Sequence, residues 1–551
     1  MLEVRDRAGV LHLCMANKPA NILSVGNGMA AALAEAIEDA RTRVGFRGII
    51  ISGRGEMFCG GADLCDLDRA DVLRAVFDRI EQSQIPVIMA MHGMVLGGGV
   101  ELALAGHWRI AAPRTKLALP EVGLGLLPGL GGTQRLPRLI GAGPAVDMML
   151  AGNMVTAEDA LGLGLIDRIA QGDIIDSAIE LIGTGKLMPR PTRAMLPPSD
   201  AREVAIARRQ TLISGLNRAP ERILDCIAAI SDDFEAGMRF EAQRIDELVA
   251  SEASRGLRHA FFAQRTAARV PGLVPGQRAH VPATAHVIGT GALARRTAQR
   301  LAEAGLSVRF DETAALSVAD NGESDLIVRC DRAGCLATAD NSLLATYRVN
   351  PRLQAEVQGA EGLEFHCPGD NRLMEVVRGP DSAPVAMASM VALGKALGKT
   401  TIISGDVGGS IFERLAAAYV APVASLVAGG LTAERIDEAL ERWGMAEGPC
   451  KFGDRFGLLS SGTPAAIPSA PLPDDEGVID RFLRALIDEG ARLIADGVAW
   501  RAEDIDVVAE SGLGFPRERG GPLFQAELMG LPIKDCRMSF VPKGTNRHDT
   551  R

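Results

Sequence analysis

Residues Pro86–Leu139 read PVIMAMHGMVLGGGVELALAGHWRIAAPRTKLALPEVGLGLLPGLGGTQRLPRL, and the order of elements in this stretch decides the fold. The window Pro86–Gly106 is apolar and long enough to span a bilayer, but His92, Glu101 and the triplet Gly97–Gly99 interrupt its middle. A buried strand (Pro86–Met91), a glycine turn and a helix (Val100–Ala105) fit those interruptions better than a membrane span. A further strand, Trp108–Ala111, follows. Upstream the same order occurs: strand Arg47–Ser52 (RGIIIS), glycine loop GRGEMFCGGADL, helix Asp71–Gln84. Before it, a short strand pair leads into the amphipathic helix MAAALAEAIEDARTRV. Strands alternating with helices predict α/β layers.

Outward from this core the pattern changes. From Thr156 to about Phe262 the periodicity is mostly helical, broken by the proline-rich stretch Pro189–Pro198, and Val270–Pro282 (VPGLVPGQRAHVP) reads as a linker. A second α/β start follows, with strand Ala285–Ile288, a glycine turn, helix Leu293–Ala304 and strand Ser307–Phe310. After Ala383 the chain turns helical again, and the spacer Leu459–Pro473 sets off a last helical unit. The segmentation predicted is 1–190, a helical extension and linker 191–282, a second α/β domain 283–382, and helical domains 383–470 and 471–551. That agrees with the three to four domains expected at about 150 residues each for 551 residues.

Composition narrows the function. With 47% hydrophobic residues the chain has ample aliphatic surface for cores, while 4% aromatics and a net charge of −10 argue against nucleic acid as a partner. Nine scattered cysteines without CxxC spacing predict no metal site and no disulfide framework, hence a reducing, cytoplasmic setting. The charged start MLEVRDRAGV predicts no signal peptide, NRHDTR is no recognised peroxisomal address, and no integral membrane segment is expected.

Four features bear on chemistry: the turns Gly60–Leu64 (GGADL) and Gly97–Glu101 (GGGVE), the block Leu119–Leu139, and the carboxylates Glu101 and Glu121. Glycine turns let backbone N–H groups approach a ligand closely, and a helix start adds positive potential. Two such turns supply the two donors of an oxyanion hole. Glu101 and Glu121 are both flanked by apolar residues, a setting that raises a carboxyl's pKa towards neutrality. An isolated glutamate is more often a solvated or capping residue. Two of them beside paired glycine turns favour acid–base work.

FCGGADL, HGMVLGGGVELALAGHWRIA and LPEVGLGLLPGLGGTQRLPRLIGA resemble the crotonase (enoyl-CoA hydratase/isomerase) superfamily, in particular the hydratase part of multifunctional fatty-acid β-oxidation enzymes. The resemblance implies a crotonase (spiral β-β-α) fold over about residues 1–190. It implies backbone N–H groups of Ala62 and Gly98 on an acyl-CoA thioester oxygen, with Gly61, Asp63 and Gly97 lining the substrate. It makes Glu101 and Glu121 the two family glutamates: Glu101 would activate water for addition at Cβ and Glu121 would exchange a proton at Cα. Having both favours hydration of a trans-2-enoyl-CoA, with double-bond isomerisation as a side reaction and no cofactor required.

From His286 the chain reads HVIGTGALARRTAQRLAEAGLSVRFDE. A strand, Gly289-x-Gly291-x-x-Ala294, a helix, a strand and then Asp311 is the order of a dinucleotide fingerprint. Together with LRHAFFAQRTAARVPG, IDEALERWGMAEGP and SGLGFPRERGGPL, the region resembles the 3-hydroxyacyl-CoA dehydrogenase half of the same enzymes. The implied architecture is a reduced Rossmann-like domain, whose Gly289, Gly291 and Asp311 would meet NAD, followed by two helical dehydrogenase C-terminal-type domains. The departures are as informative. Glu364 stands where the family has its catalytic histidine, with His366 two residues on and Glu375 in the place of the paired glutamate. Asn341 replaces the family's serine and Glu413 its asparagine, and only about a dozen residues join Asp311 to the strand SDLIVRC. A glutamate in place of the histidine is a poor base for a hydroxyl proton, so the dehydrogenase half is expected to be inactive and NAD binding doubtful. Three readings follow: a hydratase with a vestigial dehydrogenase; a bifunctional enzyme in which His366 has taken over; and a non-catalytic acyl-CoA-binding partner of a thiolase.

Overall fold

The apolar runs become strands buried on both faces. Val10–Met15 and Val87–Met91 are buried at every position, and Gly48–Gly53 at all but the last, as central parallel strands require. The computed structural model describes residues 2–531 except positions 8, 44, 214, 275, 276, 278 and 280 and the segments 313–325, 331–341, 350–362, 369–370, 379–381, 406–408 and 460–472. It divides into two units, Met1–Arg255 and Gly256–Arg551.

In the first unit β1 (Leu2–Asp6), β2 (Val10–Met15), β3 (Gly48–Gly53), β4 (Val87–Met91), β6 (Trp108–Ala111) and β9 (Arg168–Ile169) form a sheet in the order β1-β2-β3-β4-β6-β9. Only β1 is antiparallel to its neighbour; the rest run parallel. A second, three-stranded sheet combines β5 (Met94–Leu96), β7 (Lys116–Ala118) and β8 (Val155–Thr156). The chain leaves β4, crosses to β5 and enters α3 (Gly98–Ala105), so the bilayer-length window is a strand–turn–helix buried in the core. Helices α1 (Met29–Thr42), α2 (Ala70–Glu81), α4 (Gly132–Ile140) and α5 (Ala142–Ala151) flank the sheets. Beyond α6 (Ala157–Leu163) and α7 (Ile174–Gly183), the predicted helical stretch forms α8 (Ala201–Gln210), α9 (Ala219–Ala228) and α10 (Phe234–Ala250). Ile223, Leu224, Ile227, Ile245 and Leu248 of α9 and α10 join one hydrophobic core with Leu13, Ile51 and Met89 of the strands.

α11 (Glu252–Ala267) leads into the second unit. There β10 (Thr284–Gly289) pairs in parallel with β11 (Ser307–Asp311) and β12 (Leu326–Cys330), with α12 (Gly291–Glu303) between β10 and β11. This is the strand–helix–strand order the fingerprint predicts. The sheet then continues through an antiparallel meander, β12 to β13 (Ser342–Val349), β14 (Leu363–Pro368) and β15 (Leu373–Arg378), before β16 (Thr400–Gly405) closes it in parallel. The remaining helices of this unit include Ile411–Ala428, Ala433–Trp443, Asp475–Ala495 and Ala502–Val508. Ile411–Ala428 is long and apolar enough to cross a membrane by length and composition. Its Leu415, Tyr419, Val423 and Leu426 are instead packed in the unit's helical core with Phe452, Phe482 and Ile505.

Candidate active site

The two glycine turns of the first unit meet. Leu23 and Ala62 form a parallel bridge, as do Cys59 and Val95, which lays the segment 59–62 alongside β5. Gly61 (φ 110°) and Gly97 (φ 51°) adopt the backbone region that side chains disfavour. A Cβ on Gly98 would stand 2.9 Å from the Ala62 nitrogen, so the two amides sit side by side at the start of α3. Among the described residues neither the Ala62 nor the Gly98 N–H has a hydrogen-bond acceptor. Cys59 lies behind this pair. It is fully buried, its sulfur accepts the Gly61 N–H at 3.4 Å, and burial pushes its thiol up to about 12, so it packs rather than reacts.

The carboxylates converge on the same place. Glu101, on the first turn of α3, is 2% exposed, and its Oε1 accepts the N–H groups of Leu130 at 2.6 Å and Gly132 at 2.9 Å. Glu121 stands in the short 3-10 turn Pro120–Leu124. It is partly exposed as a residue, but its Oε2 is buried and takes no hydrogen bond among the described residues. A Cβ on Gly97 would approach Glu121 Oε1 to 2.8 Å, which puts this carboxylate against the turn that presents Gly98. Burial, then the negative charges of Glu121 and Glu241, hold the Glu101 carboxyl well above the usual carboxylate range, outweighing its two N–H donors. Burial likewise pushes Glu121 up to about 7. Two such groups close together titrate as a pair, and with one proton between them they supply one acid and one base.

Sequence reasoning missed three residues around this pair. Glu241 of α10 is fully buried and accepts the Gly131 and Thr133 N–H groups at 2.7 and 3.0 Å. Arg135, buried in α4, donates to the Leu130 carbonyl at 3.0 Å, and Arg74 of α2 donates to the Gly129 carbonyl at 2.8 Å. Glu241 carried a legible signal: it interrupts the apolar stripe Phe234, Met238, Ile245, Leu248 at helical spacing. Asp63 is taken up locally. Its N–H donates to the Leu23 carbonyl at 2.9 Å and its Oδ1 accepts the Cys65 N–H at 3.0 Å, which shapes the turn around Ala62.

Residues 5–195 match the family described as enoyl-CoA hydratase/isomerase. They are an enoyl-CoA hydratase/isomerase domain. Over almost its whole length this enzyme is also related to multifunctional enzymes of fatty-acid oxidation. It is 29% identical over 669 residues to a peroxisomal bifunctional enzyme of Danio rerio, covering 95% of this chain and 92% of the relative. It is 26% identical over 634 residues to a fatty acid oxidation complex subunit alpha of Shewanella baltica (strain OS155 / ATCC BAA-1091), covering 90% of each. Among solved structures, an enoyl-CoA hydratase from Bacillus anthracis is 28% identical and covers 48% of this chain and 97% of its own, with a TM-score of 0.32.

Outside the hydratase/isomerase domain lie the residues of the second candidate constellation. Gly291 (φ 85°) opens α12 with free space where a Cβ would stand, so the glycine turn itself is open. Asp311, at the end of β11, is engaged: its Oδ2 lies 2.7 Å from Nε2 of the buried His286 and 3.3 Å from the Arg309 guanidinium. Glu375 is fully buried, and its two oxygens accept the Ile411 and Phe412 N–H groups at 2.6 and 3.0 Å, capping that helix. Glu413 forms a capping box with Ser410 on the same helix. In the β14–β15 ladder Glu364 is the register partner of Val377, and His366 that of Glu375. The side chains of Glu364 and His366, and Asn341 altogether, lie outside the described residues.

Proposed function

We propose that the first unit hydrates trans-2-enoyl-CoA thioesters. The Ala62 and Gly98 N–H groups take the thioester oxygen and stabilise the enolate that forms as water adds to Cβ. Glu101 removes a proton from that water, and Glu121 delivers a proton to Cα, so one water is consumed and the 3-hydroxyacyl thioester results. Gly61 and Gly97 let the substrate approach the two amides, while Asp63 keeps the turn that carries Ala62. Because both carboxyls reach the same enolate, proton movement between Cα and Cγ, a double-bond isomerisation, accompanies hydration as a minor reaction. The observation that carries this reading is the pair of buried carboxyls with raised pKa beside two amides that have no acceptor among the described residues.

The second unit is read as a dehydrogenase part that no longer works. Asp311 is the group that would meet the adenine ribose, and its pairing with His286 and Arg309 does not fit that task. Glu375 spends both oxygens on a helix start. NAD therefore takes no part in the proposed reaction. The bifunctional alternative draws support from one fact, the cross-strand pairing of His366 with Glu375.

The test of the hydratase reading is kinetic. Hydration of trans-2-butenoyl-CoA and longer homologues is followed by loss of the conjugated-thioester absorbance. Glu101→Gln and Glu121→Gln should each lower kcat about 100-fold or more, the range for removing a general acid or base. Near-normal turnover in either folded variant refutes the two-carboxylate assignment.

A further inference from the structure

Four successive backbone N–H groups at the entry to α4 are divided alternately between two buried carboxylates. Leu130 and Gly132 donate to Glu101 Oε1. Gly131 donates to Glu241 Oε1, and Thr133 to Glu241 Oε2 through its N–H and, at 2.5 Å, its hydroxyl. Because neighbouring amides point to opposite sides, the turn can present Leu130 and Gly132 to Glu101 only while Gly131 and Thr133 are held from the other side. Glu241 does the holding. It comes from α10, which lies outside the α/β layers and beyond the stretch 5–195 that matches the hydratase/isomerase family. The turn also touches the oxyanion side of the site, since a Cβ on Gly98 would meet Leu130 Cδ1 at 3.2 Å.

Resting on the two-carboxylate reading above, we propose that Glu241 is a positioning residue for Glu101: it fixes the amides that aim the Glu101 carboxylate, so that the helical extension completes the active site. The charged and titratable groups facing Glu241 come from five elements. Arg74 of α2 and Arg135 of α4 are attracted to it, and Glu101 of α3 and Glu121 of the 3-10 turn are repelled. The Cys226 thiol of α9 is pushed up by burial and then by the charge of Glu241, and it contacts Thr133. Removing the charge of Glu241 therefore lowers the pKa of Glu101, because a negative neighbour favours its protonated form.

The experiment compares full-length wild type, Glu241→Gln, Glu241→Asp and Glu101→Gln in trans-2-butenoyl-CoA hydration across pH, with Asp246→Asn on the exposed face of α10 as control. Glu241→Gln is expected to lower kcat about 10–100-fold with KM changed little, the size of effect that slight misplacement of a catalytic group produces. Its acid limb should also move to lower pH. Glu241→Asp, which keeps the charge but is too short, should lose kcat without moving that limb, and Asp246→Asn should match wild type. A folded Glu241→Gln with wild-type kcat and an unmoved acid limb overturns the proposal. If Glu241→Gln does not fold, Thr133→Val decides: a several-fold lower kcat at unchanged KM supports the clamp, and wild-type kcat overturns it. Wild-type turnover in Glu101→Gln would instead sink the two-carboxylate reading, whereas an inactive Glu101→Gln beside an unimpaired Glu241→Gln sinks only the positioning role.

Discussion

Glu121 ties stability to pH in a direction opposite to an ordinary salt-bridged carboxylate. Its folded-state value of about 7 lies above the 4.5 of a free glutamate, so the folded form favours the proton. The associated stability is fully present below about pH 4.5 and is lost as pH rises through 7. Glu121→Gln, which cannot ionise, should therefore match wild type in stability at pH 4 and exceed it at pH 8, by about 3 kcal/mol at most. Urea unfolding at the two pH values reads the difference; equal stability at pH 8 would contradict the buried, poorly solvated carboxyl. At this scale much was legible in advance. Apolar neighbours in the sequence signalled the raised pKa of both glutamates, and glycines signalled the turns. What composition could not reveal was the engagement of Asp311 with His286, because the two side chains are 25 residues apart and are brought together only by folding.

The element that decides the site is the start of α4, and its rigidity depends on α2. Arg135 and Glu81 are both almost wholly buried, with Nη2–Oε2 at 2.8 Å, and Arg135 also reaches Asp78 at 3.1 Å. The ring of Phe234 lies 5.2 Å from the Arg135 guanidinium, and Arg193 approaches the same ring and Glu81. Removing one partner from a buried ion pair leaves an uncompensated charge. Glu81→Ala should therefore lower unfolding free energy by about 3–5 kcal/mol, measured by chemical denaturation; a change below about 1 kcal/mol would show the pair to be solvated. Strands β3, β4 and β6 and helices α1, α2 and α3 of the first unit were readable from the period of their apolar residues, to within a few residues at their ends, whereas the small sheet of β5, β7 and β8 was not anticipated. Contacts that join distant elements, such as Glu81 with Arg135 and Glu241 with Gly131, leave only an indirect trace, a charged residue on an apolar helix face.

Across the whole molecule the two units differ in how well sequence foretold them. In the first, continuous apolar strands and glycine turns specify buried parallel layers. In the second, the fingerprint foretold β10, α12 and β11, but the antiparallel meander through β13 and β14 carries no comparably strong pattern and was not anticipated. The alignment with the bifunctional relative spans 669 residues against 551 here, so that relative carries internal segments this chain lacks. The proposed function places one working active site in the first unit, with the second unit retained as folded structure. Full-length protein incubated with trans-2-butenoyl-CoA and NAD tests this most directly, with the enoyl absorbance and NADH formation recorded together. A single working site gives loss of the enoyl absorbance at an ordinary enzymatic rate and no NADH; NADH appearing in step with hydration would contradict it.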